Sequence, residues 1–99
     1  MKTIFEGEKR NIAVLVKNSA GATVSLTSPQ RRILAGDKTV VSDLAGATWD
    51  SENSKLYALF DSTAVGLTEP GNYFMQLRGV IGLEIYVFQI TVHVKDLGP

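Results

Sequence analysis

Along residues 83–95 the chain reads LEIYVFQITVHVK, and Tyr86, Phe88, Ile90, Val92 and Val94 place an apolar side chain at every second position. A period of two puts those five on one face of an extended strand and cannot be reconciled with a helix, whose apolar stripe recurs every three to four residues. The intervening positions change character midway. Leu83, Ile85 and Val87 are apolar, whereas Gln89, Thr91, His93 and Lys95 are polar. The spacing therefore predicts a strand whose first half is covered on both faces and whose second half is covered on one. The cover for the first half is a facing hairpin, a β-bulge that swaps faces, or a second copy of the chain.

The same period runs through most of the sequence. In residues 11–17, Ile12, Val14 and Val16 share a face while Ala13 and Leu15 make the other partly apolar, as in a strand covered on both sides. Asn18-Ser19-Ala20-Gly21 reads as a turn, and residues 22–27 alternate again, with Val24 and Leu26 opposite Thr23, Ser25 and Thr27. The two segments are expected to form a hairpin. Short strands are expected over 31–34 and 38–42, separated by Ala35-Gly36-Asp37. A clearer strand spans 55–61, with Leu56, Ala58 and Phe60 on one face and Tyr57 and Leu59 on the other, followed by an irregular crossing over 62–67.

Pro70 and Gly71 then stop one element and re-aim the chain, because proline fixes its own φ and glycine reaches conformations closed to other residues. From there Tyr73, Met75 and Leu77 point inward, and Phe74, Gln76 and Arg78 outward. A tyrosine so placed either packs as an ordinary core residue or forms a corner, its ring buried and its hydroxyl bonded to nearby backbone. Seven or so short strands, turn signals about every ten residues and no long helical pattern indicate an all-β, antiparallel β-sandwich of immunoglobulin-like type. A small OB-like barrel is the competing architecture. The 99 residues, 44% of them hydrophobic, suit one domain spanning 1–99.

Ten Lys plus Arg balance ten Asp plus Glu, so the electrostatic footprint that nucleic acid or an anionic membrane demands is missing. The absence of cysteine removes thiol nucleophiles, disulfides and Cys-based zinc sites. No stretch approaches the ~20 apolar residues that span a bilayer. The first residues reach Glu6 and Glu8 after Ile4 and Phe5, unlike a secretory signal, and the expected site of synthesis is the cytoplasm.

No catalytic residues are assigned. A Ser/His/Asp triad would have to use His93, with Asp96 three residues on, and no local motif supplies a nucleophile or oxyanion site. Asp50 and Glu52 are the local carboxylate pair, and Asp50-Ser51-Glu52-Asn53 offers oxygen ligands of the kind calcium prefers, without the full EF-hand pattern. A solvated polar turn explains the same residues, and no cofactor or metal is assigned. Trp49 is either a sugar-stacking platform or a hydrophobic cap on the sandwich end. Lys9-Arg10 and Arg31-Arg32 do not interleave with aromatics as a single-strand nucleic acid groove requires.

More informative is Gly79-Val80-Ile81-Gly82, where two β-branched apolar residues occupy what reads as a hairpin connection, normally a polar place. Either Val80 and Ile81 belong to lengthened strands, or they mark a protein contact continuous with Leu83, Ile85 and Phe88. These five are the interface candidates, and Pro70, Gly71 and Tyr73 the structural corner.

The succession of EGEKRNIAVLVKNSAGATVSLT, SKLYALFDS, LTEPGNYFMQL and EIYVFQITVHV resembles the immunoglobulin-like N-terminal domain of phage baseplate upper proteins and related prophage tail proteins. It departs from that pattern at LTSPQRRILAGD, which replaces the usual leucine-threonine-glycine run. The resemblance implies a non-enzymatic, virion structural building block that holds other tail or baseplate proteins, with self-association as a further possibility and incorporation into a tail particle after synthesis. The alternative function is a module that binds carbohydrate or a cell-surface ligand through Trp49, Tyr57 or Arg31.

Overall fold

The computed structural model describes residues 2–22, 24–64, 67 and 69–96. Eight strands follow one another: β1 (Lys2–Phe5), β2 (Lys9–Leu15), β3 (Leu26–Ala35), β4 (Val40–Gly46), β5 (Thr48–Asp50), β6 (Lys55–Asp61), β7 (Gly71–Ile81) and β8 (Glu84–Lys95). They form a five-stranded sheet in the order β1-β8-β7-β3-β4 and a three-stranded sheet in the order β2-β6-β5. In immunoglobulin terms β2, β6 and β5 take the places of B, E and D, and β3, β7 and β8 those of C, F and G, with β4 added beside C. One pair departs from the antiparallel rule: β1 runs parallel to β8, from Lys2↔Val92 to Phe5↔Lys95.

The inner faces follow the alternation. Ile12 on β2 meets the core with Leu56, Ala58 and Phe60 of β6, against Ile33, Tyr73, Met75, Leu77, Val92 and Val94 of the larger sheet. Phe60 and Tyr73 bridge the two layers edge to face, with ring centroids 5.8 Å apart and planes at 62°. That geometry sets the positive ring edge against the negative face.

Residues 11–17 and 22–27 do not pair along their length as the expected hairpin. β2 pairs with β6, from Lys9↔Asp61 to Leu15↔Lys55, and β3 begins only at Leu26, in the other sheet. Between them Asn18 closes a tight loop, its Oδ1 accepting the N–H groups of Ala20 and Ala22 at 2.9 and 3.0 Å. The expected turn over 18–21 is present, closed by the Gly21 N–H on the Asn18 carbonyl and the Asn18 N–H on the Ala22 carbonyl, both at 2.9 Å, and the chain crosses to the other sheet after it. Thr23 lies outside the described residues, as do Val65 and Gly66 of the expected 62–67 crossing. The hairpin over 31–42 is present and longer than its signals suggested, because β3 continues through Ser28 (φ 51°) and Pro29, where its pairing with β7 shifts register.

The entry to β7 has the geometry of a tyrosine corner. Gly71 sits at φ 146°, a value side-chain-bearing residues rarely adopt, and Tyr73 donates its hydroxyl to the Glu69 carbonyl at 2.7 Å. Burial, and secondarily the Glu69 carboxylate, push the Tyr73 hydroxyl above its ordinary range, so the donor stays protonated. Tyr73→Phe keeps the ring and leaves that carbonyl without its partner. A loss of about 1 kcal/mol is expected in urea denaturation at unchanged m-value; an unchanged midpoint would show that the corner bond adds nothing to stability.

Candidate protein-contact site

β7 and β8 outrun the facing three-stranded sheet, while β3 accompanies β7 as far as Ile81. β8 has twelve residues and β6, in the facing layer, has seven; at about 3.3 Å per residue the difference leaves roughly 16 Å of hairpin without a facing strand. The molecule is accordingly 48 Å long and 23 Å across. The hairpin closes through Gly82 and Leu83, between the pair Ile81↔Glu84. Gly82, at φ 65°, holds the first central position, where a type II′ turn takes glycine. Val80 and Ile81 are therefore strand residues, and the connection is one step further on than the sequence suggested.

The first half of β8 is covered on neither face. Leu83 is fully exposed, and Ile85, Tyr86 and Val87 keep 58%, 41% and 55% of their surface in solvent. This corrects the expectation of two covers, and the physical reason is the length of the facing sheet, whose strand β2 already ends at Leu15. Leu15, expected under cover, is 61% exposed for a different reason: it alternates with the inward Ile12, Val14 and Val16, and no layer covers the outer face of its sheet.

Register divides the arm into two faces. Val80 opposes Ile85 and Arg78 opposes Val87 on the outer face, while Gly79 opposes Tyr86 and Leu77 opposes Phe88 on the inner. Ile81, Tyr86 and Phe88 overhang an apolar cleft of about 320 Å³, floored by Leu15, Val16 and Val24 with Lys17 and Asn18 at its rim. Tyr86 donates its hydroxyl to Glu84 Oε2 at 2.7 Å, and that carboxylate raises the hydroxyl above its ordinary range. The structure thus places Leu83 and Ile85 in solvent, and half-buries Val80, Ile81 and Phe88. It adds Tyr86 and Val87, which the sequence reading assigned to covered rows.

The other candidates are held in local structure. Asp50 accepts the N–H groups of Glu52 and Asn53 on Oδ1 and the Asn53 side-chain amide on Oδ2 at 2.8 Å, and the Asn53 side chain chiefly holds its carboxyl below the usual range. Among the described residues no three His, Cys, Asp or Glu side chains gather to hold a metal. Trp49 opposes the fully buried Leu56 and packs on the core, whereas Tyr57 opposes Thr48 on the outer face of the same sheet. Arg31 is tied through Nη1 to Ser42 Oγ at 2.6 Å and the Asp43 carbonyl at 3.0 Å on β4. These three residues do not converge on one surface.

His93 Nδ1 lies 2.8 Å from Oδ1 of Asn72, its cross-strand neighbour; an amide oxygen only accepts, so in this pairing Nδ1 carries the proton. Lys9, Arg10 and Arg32 are paired with Asp61, Glu8 and Asp43 at 3.8, 3.2 and 3.3 Å. No helix among the described residues is long and apolar enough to cross a membrane. No family model matches the chain, and neither a curated protein nor a solved structure matches it significantly.

Proposed function

We propose that the protein is a non-enzymatic assembly module that engages other proteins through its β7–β8 arm. The setting is the one the sequence resemblance implies, a phage or prophage tail or baseplate, with the module incorporated into the particle. The observation that carries the reading is the grouping of Leu83, Ile85, Tyr86 and Val87, four large apolar side chains at 41% exposure or more, on one projecting hairpin. Scattered exposed apolar residues are ordinary; a contiguous group marks a contact surface, because each Å² later buried contributes about 25 cal/mol. A formal charge of zero gives no long-range steering, which suits a partner held at high local concentration in an assembly.

Co-expression with the products of neighbouring genes tests the reading. A co-eluting complex is expected, and Leu83→Ser with Ile85→Ser is expected to weaken it at least about tenfold, the size of one modest hot-spot loss. Complexes indifferent to both substitutions, or no complex with any neighbouring product together with no self-association, would overturn it.

A further inference from the structure

We propose that the partner of the arm is a second copy of this chain, joined by antiparallel pairing of the open edge of β8 with the same edge of its mate. The inference rests on the arm being a protein contact and specifies what it contacts.

Exposed strand edges template further pairing, and folded proteins blunt them with charge, brevity, proline or a bulge. Four of the five edge strands here are blunted. β2 opens with Lys9 and Arg10, β5 is three residues long, and β1 is four residues long and begins with Lys2. β4 carries Asp43, and its pairing with β3 shifts register twice. β8 has none of these devices between Ile85 and Thr91: no charge, no proline, no glycine, and pairing to β7 without a register shift. β1 covers its outer edge only from Val92 onward.

The backbone on that edge points outward at known positions. Hydrogen-bonded and non-hydrogen-bonded pairs alternate along an antiparallel ladder, and a two-residue turn makes its closing pair, Ile81↔Glu84, a bonded one. Counting from Glu84, the N–H and C=O groups of Ile85, Val87, Gln89 and Thr91 face the open side. The same parity reaches Lys95, whose carbonyl does turn that way to accept the Glu6 N–H at 2.9 Å.

The edge is complementary to itself. A two-fold axis at Val87 sets Val87 against Val87 of the second copy, Ile85 against Gln89, and Tyr86 against Phe88, an aromatic cross-strand pair repeated on both sides of the axis. Glu84, the one charge in the stretch, then faces Ile90 and never its own copy. Leu83 reaches Thr91, and at Val92 the copy's β1 takes over, so each arm fills the other's open length without overlap. The facing sheet is too short to cover residues 83–87 and no bulge interrupts β7–β8; a second copy paired at the edge sets cross-strand neighbours beside their side chains on both faces. Because the other sheet edge, β4, is irregular and carries Asp43, β8 pairs with β8 and the assembly closes as a dimer instead of growing as a fibre.

The absence of cysteine makes the register directly testable. Val87→Cys puts a single thiol at the axis, where bonded antiparallel partners lie about 5.5 Å apart at Cα, within disulfide reach. Mild oxidation is expected to cross-link Val87→Cys and to leave Val80→Cys, on the same face but one strand away, monomeric under denaturing electrophoresis. Light scattering is expected to give twice the chain mass for wild type in the sub-millimolar range. Val87→Lys, which sets like charges face to face, should weaken that dimer about 100-fold with its circular dichroism unchanged. A wild-type monomer at every concentration overturns the dimer and leaves the arm's engagement of other proteins to the co-elution experiment. A dimer that ignores Val87→Lys, or equal cross-linking at both cysteines, places self-association elsewhere and equally overturns the pairing.

Discussion

Phe60→Ala is expected to lower the unfolding free energy by about 3–5 kcal/mol, the usual cost of deleting a buried aromatic ring. Phe60 is fully buried and is the largest such side chain, and its ring abuts Tyr73 across the sandwich. Three effects therefore add: lost transfer free energy, a cavity between layers that strand backbones cannot collapse to fill, and a broken edge-to-face contact. A domain of this size commonly holds about 5–15 kcal/mol in all, so the variant keeps a small margin. At about 4–8 °C per kcal/mol its thermal midpoint falls by more than 12 °C. Urea denaturation followed by Trp49 fluorescence measures the change, and a loss under about 1 kcal/mol would mean that the two layers do not share this residue as common core. The contrast with Tyr73→Phe is informative, because that change deletes a hydrogen bond and leaves both rings in place.

The inward row Leu56, Ala58, Phe60 was legible in the sequence, and β6 has the bounds 55–61 that alternation predicted. So was the inward row Tyr73, Met75, Leu77, because a pleated strand presents alternate residues to one face whatever surrounds it. What alternation does not encode is the identity of the neighbouring strand. Ile12 and Val14 announce a buried face equally well whether β2 pairs with residues 22–27 or with β6, and only the geometry of the Asn18 loop decides. Nor does it encode how far the opposite layer extends. Tyr86 and Phe88 belong by pattern to the same row as Val92 and Val94, yet the facing sheet stops short of them, and one row passes from core to cleft. The proposed contact site was thus half visible: Leu83 and Ile85 stood out as apolar residues by a turn, while Tyr86 and Val87 looked like core. The sequence shows no charge from Ile85 to Thr91, but only the sheet order shows that this stretch is an edge.

Gly79→Ala is expected to destabilise the fold by about 1–3 kcal/mol, the cost of overpacking, and to loosen the outer part of the arm specifically. A Cβ at this position would stand 2.6, 2.7 and 2.8 Å from Cδ2, Cγ and Cδ1 of Leu26. Those atoms are the branched head of the side chain, which one χ1 rotation moves together, but Leu26 is buried and that rotation must displace its core neighbours. Leu26 also begins β3 opposite Ile81, so it either leaves its pocket or drags the β3–β7 pairing apart next to the hairpin's turn. Both routes release Ile81 and its cleft, and amide exchange should quicken from Val80 to Tyr86 while the amides of β6 keep their protection. Leu26→Ala alone removes packing and should cost about 2–5 kcal/mol, but it also clears the space the new methyl needs. The double variant is therefore expected to be more stable than the two losses added together, by about 1 kcal/mol. Strict additivity in that cycle would show that Gly79 and Leu26 do not share one site, and would remove the steric reason for a glycine within the arm.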